Sequence, residues 1–295
     1  MQHALSNGEA GALWLQSIPE LIATYEKQWS LRVLSPYPLS YNYVAPCICA
    51  DGSHAVLKIG FPQDREFQTE IEALSVFQGE GIVKLLQADR ASGVILLERV
   101  IPGVPLSVMQ DDEEATRILA SVMKRLWKPL PANHCLITLA EWTKAIPRFL
   151  QHYRGTSAPF PIYLVDKAEQ LFAELIASSA EPVLVHGDLH HDNVLSSQRT
   201  AWLAIDPKGV AAEPAYETAA MLRNPQFKLQ HTPDLKNLLL RRILILSEEL
   251  HIEPQRILRW GLAQTVLSGV WSAEDEGRYW EHAISVAEVL NTITI

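Results

Sequence analysis

Val183-Leu184-Val185-His186-Gly187-Asp188-Leu189-His190-His191-Asp192-Asn193-Val194-Leu195 is the stretch on which the reading of this chain turns. A short apolar run leads into a loop holding an aspartate and, five residues on, an asparagine. A second apolar run, Ala201-Trp202-Leu203-Ala204-Ile205, then presents Asp206. An aspartate that can align and deprotonate a hydroxyl, beside an asparagine and a second aspartate able to hold a metal ion, is the minimum equipment for moving a phosphoryl group from a nucleoside triphosphate.

In that reading Asp188 is the catalytic carboxylate. It can act near its ordinary pKa, because the hydroxyl proton need move only as the new bond forms. His186 orders the loop by hydrogen bonding rather than removing the proton. Asn193 offers a neutral carbonyl oxygen and Asp206 a carboxylate, which suits magnesium, a hard cation that takes few protein ligands alongside phosphate and water. His190 and His191 invite a zinc reading, but it leaves Asn193 and Asp206 without a role and the spacing does not match a zinc signature. One of the two adjacent histidines is expected to pack beneath the loop.

Upstream, Lys58 lies within Ala55-Val56-Leu57-Lys58-Ile59, an apolar run that reads as a buried strand. A lysine there is costly unless its ammonium has a negative partner. Glu70, twelve residues on in the following helix, is the expected partner, and the pair would hold Lys58 against the triphosphate. Glu66 competes for that role from one turn away on the same face, whereas Glu72 points elsewhere. Backbone groups of Glu98 and Val100, in Leu96-Leu97-Glu98-Arg99-Val100-Ile101, are candidates for binding the adenine base. No glycine-rich phosphate loop of either usual pattern is present, so Ser40-Tyr41-Asn42 is the candidate cover for the phosphates. Glu213 and Glu217 after the Asp206 loop, and Asp275 and Glu276 after Trp271, are candidate contacts for a cationic substrate.

Spacing of the apolar residues predicts a helix from Ala12 to Trp29, then a hairpin turning at Asp51-Gly52. A helix over 64–77 and strands over 82–86 and 94–98 follow. The character changes at Pro102-Gly103. Beyond it helices are expected at 112–127, 138–153, 162–178, 234–251, 254–267 and 274–291, with short strands near 183 and 202. The fold class is therefore α+β: a small mixed lobe over 1–101, a larger mainly helical lobe over 102–295, and a ligand cleft between them.

The 295 residues are 48% hydrophobic and 20% charged, ordinary for a soluble globular protein. Apolar stretches are interrupted by charge well short of a membrane span, and no secretory leader opens the chain. Three cysteines form no disulfide framework, so a reducing, cytoplasmic compartment is expected. Acidic residues outnumber basic ones, 34 to 25, for a net charge of −9. That argues against a nucleic-acid partner and suits a small cationic substrate.

The stretches His186-Gly187-Asp188-Leu189-His190-His191-Asp192-Asn193-Val194-Leu195 and Ile205-Asp206-Pro207-Lys208-Gly209 resemble the aminoglycoside phosphotransferase superfamily. Ala55-Val56-Leu57-Lys58-Ile59-Gly60, Glu72-Ala73-Leu74, Gly79-Glu80-Gly81 and Leu96-Leu97-Glu98-Arg99 extend the likeness upstream. Met221-Leu222-Arg223-Asn224-Pro225 and Ser268-Gly269-Val270-Trp271-Ser272 narrow it to the streptomycin 6-kinase and hydroxyurea phosphotransferase family. The resemblance implies a two-lobed protein-kinase-like fold and transfer of phosphate from ATP, with Mg2+, to a substrate hydroxyl. It implies Asp188 as base, Asn193 and Asp206 as magnesium ligands, and Lys58 as the phosphate-binding lysine with Glu70 its partner. Glu213 matches an acidic position of the family, and Glu217 stands where aspartate is common. The implied acceptor is an aminoglycoside of the streptomycin type, in an antibiotic-resistance role. Hydroxyurea or another small metabolite alcohol is the alternative, and a non-catalytic nucleotide-binding protein is a third reading.

Overall fold

A computed structural model describes residues 8–38, 41–154, 157–274 and 280–295. Side chains alternate across a strand, and this alternation organises the small lobe. Helix α1 (Gly8–Gln28) precedes strands β1 (Leu31–Val33), β2 (Tyr43–Cys49) and β3 (His54–Ile59). Helix α2 (Arg65–Phe77) and strands β4 (Leu85–Asp89) and β5 (Val94–Glu98) complete the lobe. The sheet runs β1-β2-β3-β5-β4, every neighbour antiparallel. Ala55, Leu57 and Ile59 join Trp14, Ile18 and Tyr25 of α1 in one buried cluster. Ile95 and Leu97 instead pack with Phe67, Ile71 and Leu74 of α2. Lys58, one step out of phase with Leu57 and Ile59, thereby falls on the α2 face.

The hairpin turns at Asp51-Gly52 as expected, with Cys47 opposite Ala55 and Ile48 opposite His54. Asp64 caps α2 by accepting from the Glu66 amide at 3.0 Å, and Gln78 closes it in a left-handed conformation. Cys47, Cys49 and Cys135 are all free.

The strand expected at 82–86 is displaced. Ile82 and Val83 leave the sheet and bridge to Ala204 of the other lobe, Val83 N donating to Ala204 O at 3.0 Å. Both are almost fully buried there, whereas β4 itself lies at the sheet edge with a largely exposed pattern. The apolar pair gains more burial between the lobes than an edge strand offers.

The helical lobe begins with β6 (Pro102–Pro105), α3 (Asp112–Leu126), β7 (Lys128–Pro129) and β8 (Ile137–Thr138). The helix expected at 138–153 is broken into α4 (Leu139–Trp142) and α5 (Ala145–Tyr153), and α6 spans Ile162–Ala177. Then come β9 (Val183–Val185), β10 (Val194–Ser197), β11 (Trp202–Ala204) and β12 (Val210–Ala212). Three short helices follow, α7 (Pro214–Glu217), α8 (Ala219–Leu222) and α9 (Gln226–Gln230), before α10 (Leu235–Leu250), α11 (Pro254–Glu274) and α12 (Trp280–Asn291). The helix expected to stop at 267 thus continues to Glu274, and the expected start of the last helix falls partly outside the described residues.

α11 is the centre of this lobe, burying Trp260, Ala263, Val266, Leu267 and Val270. Two small sheets, β7-β9-β12-β8 and β11-β10-β6, belong to this lobe. Their strand ends carry the 186–193 and 205–209 loops. Among the described residues no helix is long and apolar enough to cross a membrane.

Candidate active site

β9 ends at Val185 and delivers His186, which is fully buried. Its Nε2–H donates to Ile205 O at 2.8 Å and its Nδ1 accepts from the Asp188 amide at 3.2 Å, a tautomer assigned from these partners. Burial pulls its pKa down to about 4, so the ring is neutral and acts as a strut. Gly187 has φ 87°, and a Cβ there would lie 2.5 Å from Cγ2 of Val210. Only glycine fits that turn.

Asn193 follows in a single 3-10 turn, and its Nδ2 donates to Asp188 O at 3.0 Å. Its side-chain oxygen has no protein donor among the described residues. The β10–β11 hairpin sets Val194 opposite Ala204, and Ile205 N donates to Asn193 O at 2.9 Å. Asp206 therefore emerges beside Asn193. Its φ of 61° is left-handed, a strain of about 1–3 kcal/mol for a non-glycine residue. The turn is held because Lys208 N and Gly209 N both donate to His186 O, at 2.8 and 3.2 Å.

From the small lobe, Lys58 Nζ lies 2.7 Å from each carboxylate oxygen of Glu70 and also donates to Asp206. Burial opposes the lysine's charge, but the carboxylates of Asp206 and Glu70 outweigh it and hold its pKa above the ordinary value. Glu70 shares that single cation with Asp206. Its burial, with the repulsion from Asp206, pushes its carboxyl up to about 7 despite the attraction of Lys58. At Asp206 burial is likewise unfavourable, but Lys58 and Lys208 hold the carboxyl well below its usual range. The Asp206 side chain is 42% exposed, so one edge remains open to a cation. The competing Glu66 pairs instead with Lys208, at 3.3 Å.

Asp188 is the centre of the site, and Arg223 grips it: Nη2 lies 2.8 Å from Oδ1. Burial alone would raise the Asp188 pKa. His190 when protonated, together with the permanent cations of Arg223 and Lys208, brings it down to about 2. Arg223 had no role in the sequence reading, although it lies inside the Leu-Arg-Asn-Pro run. Nothing local signals its contact with a residue 35 positions earlier. Trp142 was missed for the same reason. It packs edge-on against Trp271, ring centroids 5.1 Å apart, and its ring lies against Gly187.

Two of the expected substrate contacts have protein donors as partners in the structure. Glu213 is buried, its carboxylate accepting from Arg256 Nε at 2.8 Å and from the Trp260 indole. Glu217 is also buried and accepts from the backbone amides of His186 and Gly187, at 2.5 and 3.0 Å. Both carboxylates are consumed by protein donors, because a buried charge must be satisfied where it lies. Trp271 is half-buried against Trp142. Asp275 and Glu276 lie outside the described residues, as does Ser40.

Tyr41 is exposed and Asn42 half-buried at the start of β2. Glu98 ends β5, its amide bonded to Lys84 O at 2.9 Å and its side chain to Arg199. Val100 is half-buried against the core. As to metal, no group of three His, Cys, Asp or Glu side chains capable of holding an ion occurs among the described residues. The oxygens of Asn193 and Asp206 form a sparse, hard donor pair. That fits a magnesium ion whose other ligands come from phosphate and water.

Two lobes with a lysine–glutamate pair facing an Asp–Asn–Asp loop system define a protein-kinase-like phosphotransferase of small molecules. A family model described as aminoglycoside/hydroxyurea antibiotic resistance kinase matches residues 39–276, and the chain belongs to that family. As such it is an ATP-dependent phosphotransferase acting on a small hydroxylated acceptor. It is 31% identical over 278 residues to a streptomycin 6-kinase of Streptomyces griseus, spanning 92% of this chain and 89% of the relative. It is 32% identical over 294 residues to a hydroxyurea phosphotransferase of Kitasatospora aureofaciens, spanning 96% and 82%. The choline kinase LicA from Streptococcus pneumoniae superposes with a TM-score of 0.64 at 16% identity, covering 93% of this chain and 99% of that one. At that identity the likeness is one of fold.

Proposed function

We propose that this protein phosphorylates a hydroxyl of a streptomycin-type aminoglycoside, using ATP and Mg2+, and so confers resistance. The observation that carries the reading is the meeting of Lys58, Asp206 and Asn193 with Asp188 across one crevice. Asp188 aligns the acceptor hydroxyl and takes its proton as the oxygen bonds to the γ-phosphorus and the bond to the β-phosphate oxygen breaks. Lys58, oriented by Glu70, holds the phosphates. Asn193 and Asp206 would hold Mg2+, which would supply positive charge to offset that of the phosphates. Glu98 and Val100 supply backbone groups to the adenine, with Tyr41 and Asn42 over the phosphates. The lobes divide between residues 101 and 102.

Trp271, paired with Trp142 beside the catalytic loop, supports an acceptor wall at that end of the cleft. Asp275 and Glu276, four and five residues further on in sequence, are the carboxylates proposed for a cationic acceptor. The relatives support two acceptor classes, an aminoglycoside and hydroxyurea. Incubation with ATP, Mg2+ and each acceptor, followed by mass spectrometry, separates them: a product of streptomycin mass plus one phosphate is expected. Asp188→Asn should suppress that product at least about tenfold while leaving nucleotide binding nearly intact. Asp206→Ala should weaken magnesium-nucleotide binding as well as turnover. Hydroxyurea alone being phosphorylated would reassign the acceptor, and wild-type behaviour of both variants would overturn the roles.

A further inference from the structure

Asp188 has one carboxylate oxygen already taken, and the residue taking it is fixed from several sides. Arg223 reaches Oδ1 through Nη2 at 2.8 Å, while its Nε donates to Oε1 of Gln264 at 3.0 Å. Gln264 is itself buried in α11. The short turn that bears Arg223 is captured as firmly. Arg242 Nη1 donates to Met221 O at 2.8 Å and to Asn224 O at 2.6 Å, and His282 Nε2–H donates to Arg223 O at 2.9 Å. Arg242 is wholly buried and is clamped in turn by both oxygens of Asp112, at 2.7 and 2.8 Å. Thus α10, α11 and α12 each contribute one side chain, Arg242, Gln264 and His282, to the placement of one guanidinium.

We infer that Arg223 is a positioning residue for phosphoryl transfer: it fixes the Asp188 rotamer through Oδ1 and leaves Oδ2 to face the acceptor hydroxyl. A carboxylate free to turn about its Cα–Cβ and Cβ–Cγ bonds presents either oxygen in many directions. One tethered by a guanidinium that Gln264 also holds, on a turn fixed by Arg242 and His282, presents a single oxygen in one direction. Proximity of this kind is steep, since misplacing a reacting group by about 1 Å costs about a hundredfold in rate. His190, whose Nε2 is 3.8 Å from Oδ2, is the nearer neighbour of the oxygen left free.

The inference rests on the kinase reading, and steady-state kinetics with ATP and the acceptor found active separate the two. Arg223→Ala should lower kcat roughly tenfold to a hundredfold, with KM for ATP and for the acceptor within about twofold of wild type. Arg223→Lys should fall between, because one ammonium cannot hold Gln264 and Asp188 in the same fixed geometry. Added guanidinium ion should restore part of the Arg223→Ala rate and none of the Asp188→Asn rate. Gln264→Met, which frees the guanidinium but keeps its charge, gives an independent reading and should lower kcat by about threefold to tenfold with KM unmoved. Wild-type kcat in folded Arg223→Ala would overturn the inference, as would a rise confined to the acceptor KM. Failure of the wild-type protein to phosphorylate any acceptor would overturn the kinase reading and this inference with it.

Discussion

Glu217 accepts a hydrogen bond from the backbone amide of His186 at 2.5 Å, two residues before Asp188. Its second oxygen holds the Gly187 amide at 3.0 Å. A residue that reads in sequence as a candidate substrate contact is a bracket for the loop. Glu217→Ala leaves two buried N–H groups without partners and should lower stability by about 2 kcal/mol or more. Because the loop then wanders, kcat should fall with little change in the acceptor KM. Denaturant unfolding beside steady-state kinetics checks this, and an increase in acceptor KM at unchanged stability would return Glu217 to the substrate.

Lys58 and Glu70 predict a pH signature. Glu70 has its carboxyl raised to about 7 in the fold, against an ordinary 4.5. A group raised on folding lends stability below its unfolded pKa and loses it as pH rises through the folded value. In wild type that loss levels off above about pH 7. Lys58→Met removes the attracting cation, so the Glu70 pKa rises further and the loss continues to higher pH, at up to about 1.4 kcal/mol per unit. Urea unfolding between pH 5 and pH 9 should show the variant still declining where wild type is flat, and nucleotide binding should be weakened throughout.

Arg199 ties the lobes together at the back of the cleft. From the β10–β11 turn it bonds both oxygens of Glu98 at 2.9 Å, Gly79 O at 2.8 Å and Ile82 O at 2.7 Å. Glu98 ends the strand that leads into the segment proposed to bind adenine. Arg199→Ala should cost about 1–3 kcal/mol and raise the ATP KM several-fold, with the acceptor KM untouched. Calorimetry and ATP titrations test it, and an unchanged ATP KM would reduce the latch to a stability device.

His191 lies in the 186–193 loop, almost fully buried, and neither ring nitrogen has a hydrogen-bond partner among the described residues. Burial, reinforced by the nearby Arg242, holds its pKa well below the ordinary 6.5. The unfolded chain therefore binds this proton first, and folding stability drops as pH falls below about 6.5. His191→Phe removes the titration. The stability of the variant relative to wild type should increase from pH 7 to pH 5, by at most about 1.4 kcal/mol per unit. Parallel curves for the two proteins over that range would show that the ring is protonated in the fold.

Much of this site was legible because its chemistry is expensive. A lysine in an apolar strand demands a carboxylate, and that demand singled out Glu70 and Glu66 on the next helix. Which of them answers depends on Lys208, 138 residues beyond Glu70 in the chain, which draws Glu66 away. Ile82-Val83 was legible as apolar but not as a bridge, since a two-residue apolar run has the same period at a sheet edge and between lobes. That Glu213 and Glu217 are buried among protein donors was not legible, because nothing local tells a carboxylate that faces solvent from one that faces an arginine, an indole or backbone amides.

By itself the sequence determined the order of most elements and the α+β class, and it pointed to the Lys58–Glu70 contact, since periodicity and the cost of buried charge act over a few positions. Only the tertiary structure decided which carboxylates are free and which are spent, and that Arg223 holds Asp188. Those outcomes depend on where side chains from distant segments meet. In a buried site every charge is satisfied by whatever the packing brings beside it, and for Asp188, Glu213 and Glu217 that neighbour lies tens of residues away along the chain.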